Sequence, residues 1–331
     1  MAFFTNISSS TNNYIENKLF SRLLIFIALA VSIIFVFMGD DVTEFPVFVT
    51  DSFTFTAWVN HGEDYLKEHY RWITKLIASY IKASYYALED FLLDSSWLFI
   101  VAMLVIPSIA FGGLRLALLV LFGVLFWGAV DLWDSSMETL ALMGLSVFLS
   151  VIVGVILGVL CGLSNRFERG MKPVLDTMQV MPAFVYLIPA MFFFGIGGAP
   201  AILATMIYSM PPIIRLTNLG IRQVPSETIE TATAFGSNKL QTLFKVQVPL
   251  ALPSIMMGVN QTIMMALAMV VIASMIGVKG LGLPVLRAIS NQYLALGLMN
   301  GLAIVILAII FDRVTQKFGL RMQKYRNEGK D

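Results

Sequence analysis

Residues Pro225 to Pro253 read PSETIETATAFGSNKLQTLFKVQVPLALP, a polar run set between long apolar segments. The run predicts two short amphipathic helices with a corner between them. Pro225 is followed by Ser226, a residue suited to cap a helix N-terminus. Glu227 and Glu230 come in the first turn, where carboxylates favour the positive end of the helix dipole. Ile229, Ala232 and Gly236 share one stripe at helical spacing, with Phe235 beside them. Gly236 supplies the positive φ that a sharp helix end needs. Ser237 or Asn238 then caps a second helix carrying Leu240, Leu243 and Phe244 at i, i+3 and i+4, which Pro249 ends. Plain membrane crossings need no such device. The residues alone leave two readings open: a surface hairpin tying two spans together, or a set of small and apolar side chains presented to another protein.

Working outward, the chain has 331 residues, of which 58% are apolar and 13% charged, with a mean hydropathy of +0.81. That is more apolar than a soluble core requires, and it places the chain in a lipid bilayer. A net charge of +1 and the absence of a long basic run argue against nucleic acid as a partner. The single cysteine, Cys161, closes no intrachain disulfide and reads as a small buried hydrophobe. His61 and His69 lie in one polar segment without metal-ligand spacing. No paired carboxylates, metal cluster or nucleophile with its base appears within the apolar segments, which ranks a membrane enzyme last and argues against a proton-coupled carrier.

In chain order, a Ser/Asn/Thr-rich start precedes an apolar run from Leu23 to Met38, which no cleavage site follows, so a retained anchor with an inside N-terminus is expected. Residues 39–96 are mixed. Between Trp72 and Leu93 an apolar stripe through Ile73, Leu76, Ile77, Tyr80, Ile81, Ser84, Leu88, Phe91 and Leu92 predicts an amphipathic helix along the outer membrane surface, with Tyr85 among the aromatic belt residues. Seven further apolar segments follow, at about 97–110, 114–130, 139–163, 182–196, 200–214, 250–278 and 294–311. The expected fold is therefore all-α, a polytopic transmembrane bundle of about eight spans. Alternating them from an inside N-terminus puts sixteen of the 22 Lys and Arg residues inside, and leaves Asp131, Asp134 and Glu138 in an external turn without a cation. The 225–253 stretch then faces the cytoplasm.

Gly154, Gly158 and Gly162 recur at i, i+4 and i+8, a small-residue stripe suited to close helix packing. Asn260 and Gln261 near the start of the seventh span read first as interhelical hydrogen-bonding residues and second as part of a solute path. Aromatic residues such as Phe184, Tyr186 and Tyr208 suit a path for an organic cation, because a quaternary ammonium is attracted to ring faces.

The spacing Glu230, Ala232, Gly236, nine residues, then Val246, Val248 and Pro249 resembles the EAA loop of ABC importer permeases, with Thr231 in place of the first alanine and valines in place of Ile and Leu. The segments PAFVYLIPAMFFFGIG (182–197), PPIIRLTNLGI (211–221), FKVQVPLALPSIMMGVNQTIM (244–264) and MVVIASMIGVKGLG (269–282) are similar to the ProW-like permeases of the glycine betaine/proline betaine importer family. That resemblance covers roughly residues 140–316. It implies a type I permease core at 97–316 with the 225–253 stretch as its coupling loop, a flexible cytoplasmic N-terminus at 1–21, an anchor at 22–38 and a basic cytoplasmic tail at 317–331. It also implies a bacterial inner-membrane assembly: a second copy of the permease, two ATP-binding subunits and an external substrate-binding protein. Glu230, Ala232, Gly236, Val246, Val248 and Pro249 would contact the ATPase. No G-x-x-x-x-G-K-[ST] motif occurs, so this chain is expected to hold no cofactor, with ATP and Mg bound by the partner subunit. Glycine betaine, proline betaine, choline, carnitine and trimethylamine N-oxide stay open as solutes. The rival reading is a secondary carrier or channel for small organic solutes acting without an ATPase.

Overall fold

Helix is the only regular structure among the described residues. A chain this apolar has little choice, since backbone N–H and C=O groups in hydrocarbon find partners only inside a helix or a closed barrel. The computed structural model describes residues 23–33 and 55–327. The expectations for the N-terminal tail, for the end of the anchor at Met38 and for the last residues of the basic tail lie outside them. The chain divides into two compact units, Met1–His69 and Tyr70–Asp331.

In the first unit, α1 (Leu23–Ile33) exposes apolar side chains nearly all round. The second helix, α2 (Phe55–Asp94), begins there with polar turns that include a Lys67–Glu63 ion pair of 3.1 Å. Its later turns belong to the second unit, where Tyr85, Glu89 and Leu92 are buried at helical spacing. Tyr85 is therefore not a belt residue. Its ring covers Gly198, where a Cβ would come within 2.8 Å of it.

The second unit continues with α3 (Trp97–Ala129), α4 (Trp133–Leu163), α5 (Asn165–Val180), a 3-10 turn (Ala183–Tyr186) leading into α6 (Leu187–Phe194), α7 (Gly198–Ser209) and α8 (Pro211–Arg222). Then come α9 (Ser226–Ala234), α10 (Lys239–Thr242), a π-helical turn (Leu243–Gln247), α11 (Val248–Ala273), α12 (Gly282–Asn291) and α13 (Leu294–Asn327). Among the described residues, five helical stretches are long and apolar enough to cross a membrane, or up to six if the pair Asn165–Val180 and Ala183–Phe194, bent by 112°, makes one broken span. The expected count of eight adds the anchor run, which ends outside the described residues, and takes 97–110 and 114–130 as two crossings. The run 200–214 is the middle of one rod, Gly198–Arg222, and 182–196 is half of the bent pair.

The runs 97–110 and 114–130 are two halves of α3. Gly113 interrupts it with φ 73° and ψ −172°, values no helix holds. Trp97 and Val101 line the same 520 Å³ crevice as Val124, Leu125, Gly128 and Ala129. A straight rod of this length would separate its ends by about 48 Å at 1.5 Å per residue, so the halves run antiparallel. The turn expected to be external is shorter than the sequence suggests. Only Val130–Leu132 leave the helix; Asp134 lies in the first turn of α4, where the helix dipole favours it, and Glu138 one turn further on.

At the centre lies α8, packed between α4 and α11. The glycine stripe of α4 receives a stripe of α8 at the same spacing. A Cβ on Gly154, Gly158 or Gly162 would lie 2.2, 2.5 or 2.7 Å from Ile213, Thr217 or Ile221. On the opposite side, Gly220 approaches Ala251 and Ser254, and Gly258 of α11 approaches Ile213 and Leu216. Without a hydrophobic driving force between helices in lipid, such close van der Waals contact is what holds them. Two apolar clusters result. The larger joins α3, α4, α7, α11 and α13, and the smaller gathers Cys161, Leu175, Ile213, Ile221, Leu243 and Ala251 beneath the 225–253 stretch.

Candidate functional site

The 225–253 stretch forms the helix, corner and helix that its spacing predicts, with two corrections. Pro225, not Ser226, holds the N-cap of α9. Its ring fixes φ at −58° while ψ is 136°, and its carbonyl accepts from Thr228 N–H at 3.1 Å and Ile229 N–H at 3.4 Å. Ser226 is the first helical residue and makes no cap bond.

At the other end Gly236 adopts φ 83°. Ser237 N–H donates to the Ala232 carbonyl at 3.1 Å and Gly236 N–H to that of Thr233 at 2.9 Å, the paired bonds of a Schellman end. Asn238 then caps α10 through a reciprocal pair: Gln241 N–H donates to Asn238 Oδ1 and Asn238 N–H to Gln241 Oε1, both at 2.9 Å.

The second correction concerns Pro249, which does not end a helix. From Lys239 to Ile276 the chain is one helical rod. A proline removes the donor for the carbonyl four residues earlier and clashes with it. The rod accommodates this by widening to a π turn at Leu243–Gln247, where Val248 N–H reaches five residues back to the Leu243 carbonyl.

No residue of α9 is buried. Glu230 and Gly236 are exposed, and Ala232, Val246 and Val248 are half-buried. Phe235, Leu240 and Phe244 carry 88, 67 and 66% of their surfaces exposed. The stretch thus shows an apolar edge outward while Leu243, pointing the other way, is buried in the smaller cluster. A Cβ at Gly236 would meet nothing within 4 Å, so inside this chain the glycine serves its φ and not its size.

Just before the stretch, polar side chains of α8 meet those of α5 in antiparallel order. Arg215 pairs with Asp176 at 2.5 Å, Asn218 Nδ2 donates to Glu168 Oε1 at 3.1 Å, and Arg222 Nη1 donates to Asn165 Oδ1 at 2.7 Å. The hydrogen bond from Asn218, aided by the charges of Arg222 and Lys172, holds the Glu168 carboxyl below its ordinary range.

Residues 150–324, more than half the chain, match the family described as the binding-protein-dependent transport system inner membrane component. The chain belongs to this permease family. The permease is 42% identical over 265 residues to the glycine betaine/proline betaine transport system permease protein ProW of Escherichia coli, covering 80% of this chain and 74% of that one. It is 45% identical over 212 residues to the glycine betaine transport system permease protein OpuAB of Bacillus subtilis (64% and 75% covered). With the glycine betaine/carnitine transport permease protein GbuB of Listeria monocytogenes it shares 50% identity over 195 residues (59% and 69% covered). The fold is similar to that of a chain in an inward-facing MetNI methionine ABC transporter, with a TM-score of 0.52 at 20% identity over 56% of this chain and 93% of that one. It is a membrane transport component, not an enzyme.

Five residues of the permease were expected to line a solute path, and they do not converge. Tyr186 and Tyr208 stack edge to face at 5.7 Å, and the Tyr186 hydroxyl donates to the Met178 carbonyl. Phe184 is exposed. Asn260 joins α11 to α13, the interhelical role its position first suggests: its Nδ2 donates to Asp312 Oδ1 at 2.9 Å and its Oδ1 accepts from Thr315 Oγ1 at 2.6 Å. With Gln261 it lines a 350 Å³ groove that none of the three aromatic residues enters. Sequence reasoning missed Asp312, Thr315 and the α5–α8 pairs. The signal for the latter is present in the sequence as Arg215, Asn218 and Arg222 at i, i+3 and i+7.

Proposed function

We propose that this permease forms the translocation path of an ATP-driven importer for a quaternary ammonium or related methylated-amine compatible solute, within the set glycine betaine, proline betaine, choline, carnitine and trimethylamine N-oxide. The observation that carries the reading is the 42% identity to a glycine betaine/proline betaine permease across 80% of the chain. Two copies of the permease, two ATP-binding subunits and an external substrate-binding protein make up the assembly. It sits in a bacterial inner membrane with both termini in the cytoplasm, and the cation count on that side supports the placement. The permease core spans residues 97–316.

In this reading the 225–253 stretch is the coupling loop. α9 lies in a groove of the ATPase, with Glu230, Ala232 and Gly236 at the contact and Val246, Val248 and Pro249 carrying motion into α11. The exposed edge of Phe235, Leu240 and Phe244 supports it, since apolar side chains on an aqueous face call for a partner. ATP-driven closure of the nucleotide-binding subunits then rocks the bundle between outward-open and inward-open states. Of the path candidates, Phe184 has its ring face free for a methylated ammonium, whereas Tyr186 and Asn260 are engaged within the chain.

The test is uptake of glycine betaine into proteoliposomes holding the permease, its ATP-binding subunits and the binding protein. ATP-dependent uptake is expected, and Gly236→Glu is expected to abolish it while the variant still inserts into the membrane. Uptake by the permease alone, driven by an ion gradient, would overturn the proposal in favour of a secondary carrier.

A further inference from the structure

Arg222 ends α8 three residues before Pro225, and its guanidinium is committed on every side. Nη2 donates to the Cys161 carbonyl at 2.8 Å and pairs with Glu168 Oε2 at 3.0 Å, Nη1 donates to Asn165 Oδ1 at 2.7 Å, and Nε donates to Asn218 Oδ1 at 2.9 Å. One side chain therefore grips the C-terminal carbonyl end of α4, the first turn of α5 and its own α8. The Cys161 carbonyl is at the negative end of the α4 dipole, which a cation favours. The planar fork of arginine meets several acceptors at fixed angles, which a lysine ammonium does not do. Glu168 and Arg222 keep 18 and 32% of their side-chain surface exposed, so the pair is partly shielded from the screening that weakens surface ion pairs.

The position matters for motion. Only Gln223, Val224 and Pro225 separate Arg222 from α9. Force delivered to α9 reaches the bundle by two routes: forward through the continuous rod into α11, and backward through the last turn of α8. At that last turn the glycine stripe ends, because Gly162 and Ile221 form its final contact. Beyond it, the Arg222 fork ties α8 to α4 and α5.

We infer that Arg222 is a positioning residue that makes α4, α5 and α8 move as one body with the 225–253 stretch, so that ATP hydrolysis by the partner subunit becomes solute movement. The inference rests on the proposed role of that stretch in coupling. Without the fork, a push on α9 bends the last turn of α8 away from the ends of α4 and α5, and less of the motion reaches them. Hydrolysis then continues and transport fails.

The experiment uses the assembled importer in proteoliposomes, with glycine betaine as the probe and uptake measured per ATP hydrolysed. Arg222→Gln is expected to keep hydrolysing ATP while uptake per ATP falls about tenfold, the size of an ordinary coupling free energy between sites. Arg222→Lys keeps the charge beside Glu168 and loses the fork, so its ratio falls part of the way, as does that of Asn165→Ala. An unchanged ratio in Arg222→Gln overturns the inference. If Arg222→Gln does not assemble, the two milder variants decide: lowered ratios support the inference, and wild-type ratios overturn it. Absence of ATP-dependent uptake in the wild type would instead sink the proposed function itself.

Discussion

Gly158 of α4 and Thr217 of α8 meet with no room for a methyl group between them: a Cβ on the glycine would lie 2.5 Å from the Thr217 Cβ and 2.8 Å from the Ile214 carbonyl oxygen. A neighbouring carbonyl cannot swing aside as a side-chain tip does. Gly158→Ala is therefore expected to destabilise the bundle by about 1–3 kcal/mol, the usual cost of overpacking. Gly144→Ala, on the same helix with nothing within 4 Å of its Cβ, is the control. Thermal unfolding of the two variants in detergent checks this, and equal midpoints would contradict it.

Asn260 joins α11 to α13 through Asp312 and Thr315. Replacing it with leucine removes a bond to a charged group, worth about 1.5–3 kcal/mol. The loss should appear as a lower unfolding temperature, with the KM for uptake unchanged. A raised KM at wild-type stability would return Asn260 to the solute path.

The Asn238 and Gln241 caps start α10 on a face with little packing to sustain it. Asn238→Ala should cost about 1 kcal/mol. The cost falls locally, so amide hydrogen exchange at residues 239–242 should quicken while α8 keeps its protection. Uniform quickening across both would show that the cap supports the whole bundle.

Glu168 has a carboxyl held below its ordinary range by Asn218 first, then by Arg222 and Lys172. A depressed carboxyl pKa stabilises the fold fully above the unfolded value, near 4.5, and that contribution is lost as pH falls through the lower folded value. Stability attributable to Glu168 is thus constant from neutral pH down to the ordinary carboxylate range and declines below it. Unfolding midpoints of wild type and Glu168→Gln should converge as the pH drops. A gap that widens with acid would contradict the sign.

Much of the candidate site was legible because its instructions are local. Gly236 must take a positive φ wherever a helix turns that sharply, and Asn238, one of the two residues suited to cap the second helix, does so. The errors share the opposite cause. Pro249 reads as a terminator until the π turn before it is seen to absorb its missing donor. Tyr85 reads as an interfacial ring until Gly198 is found beneath it.

By itself the sequence determined that this protein lives in a bilayer, that it is helical, that residues 225–253 break the pattern of its spans, and which family it resembles. The first three follow from composition and short-range spacing and the fourth from the resemblance of its motifs, all of which the chain carries wherever it goes. Tertiary structure alone decided that the glycines of α4 receive Ile213, Thr217 and Ile221, that Asn260 is bound to Asp312, and that Arg222 gathers three helix ends. Those partners lie about fifty to sixty residues apart, and no local propensity reaches that far. Only packing that closes the bundle brings them within hydrogen-bonding distance.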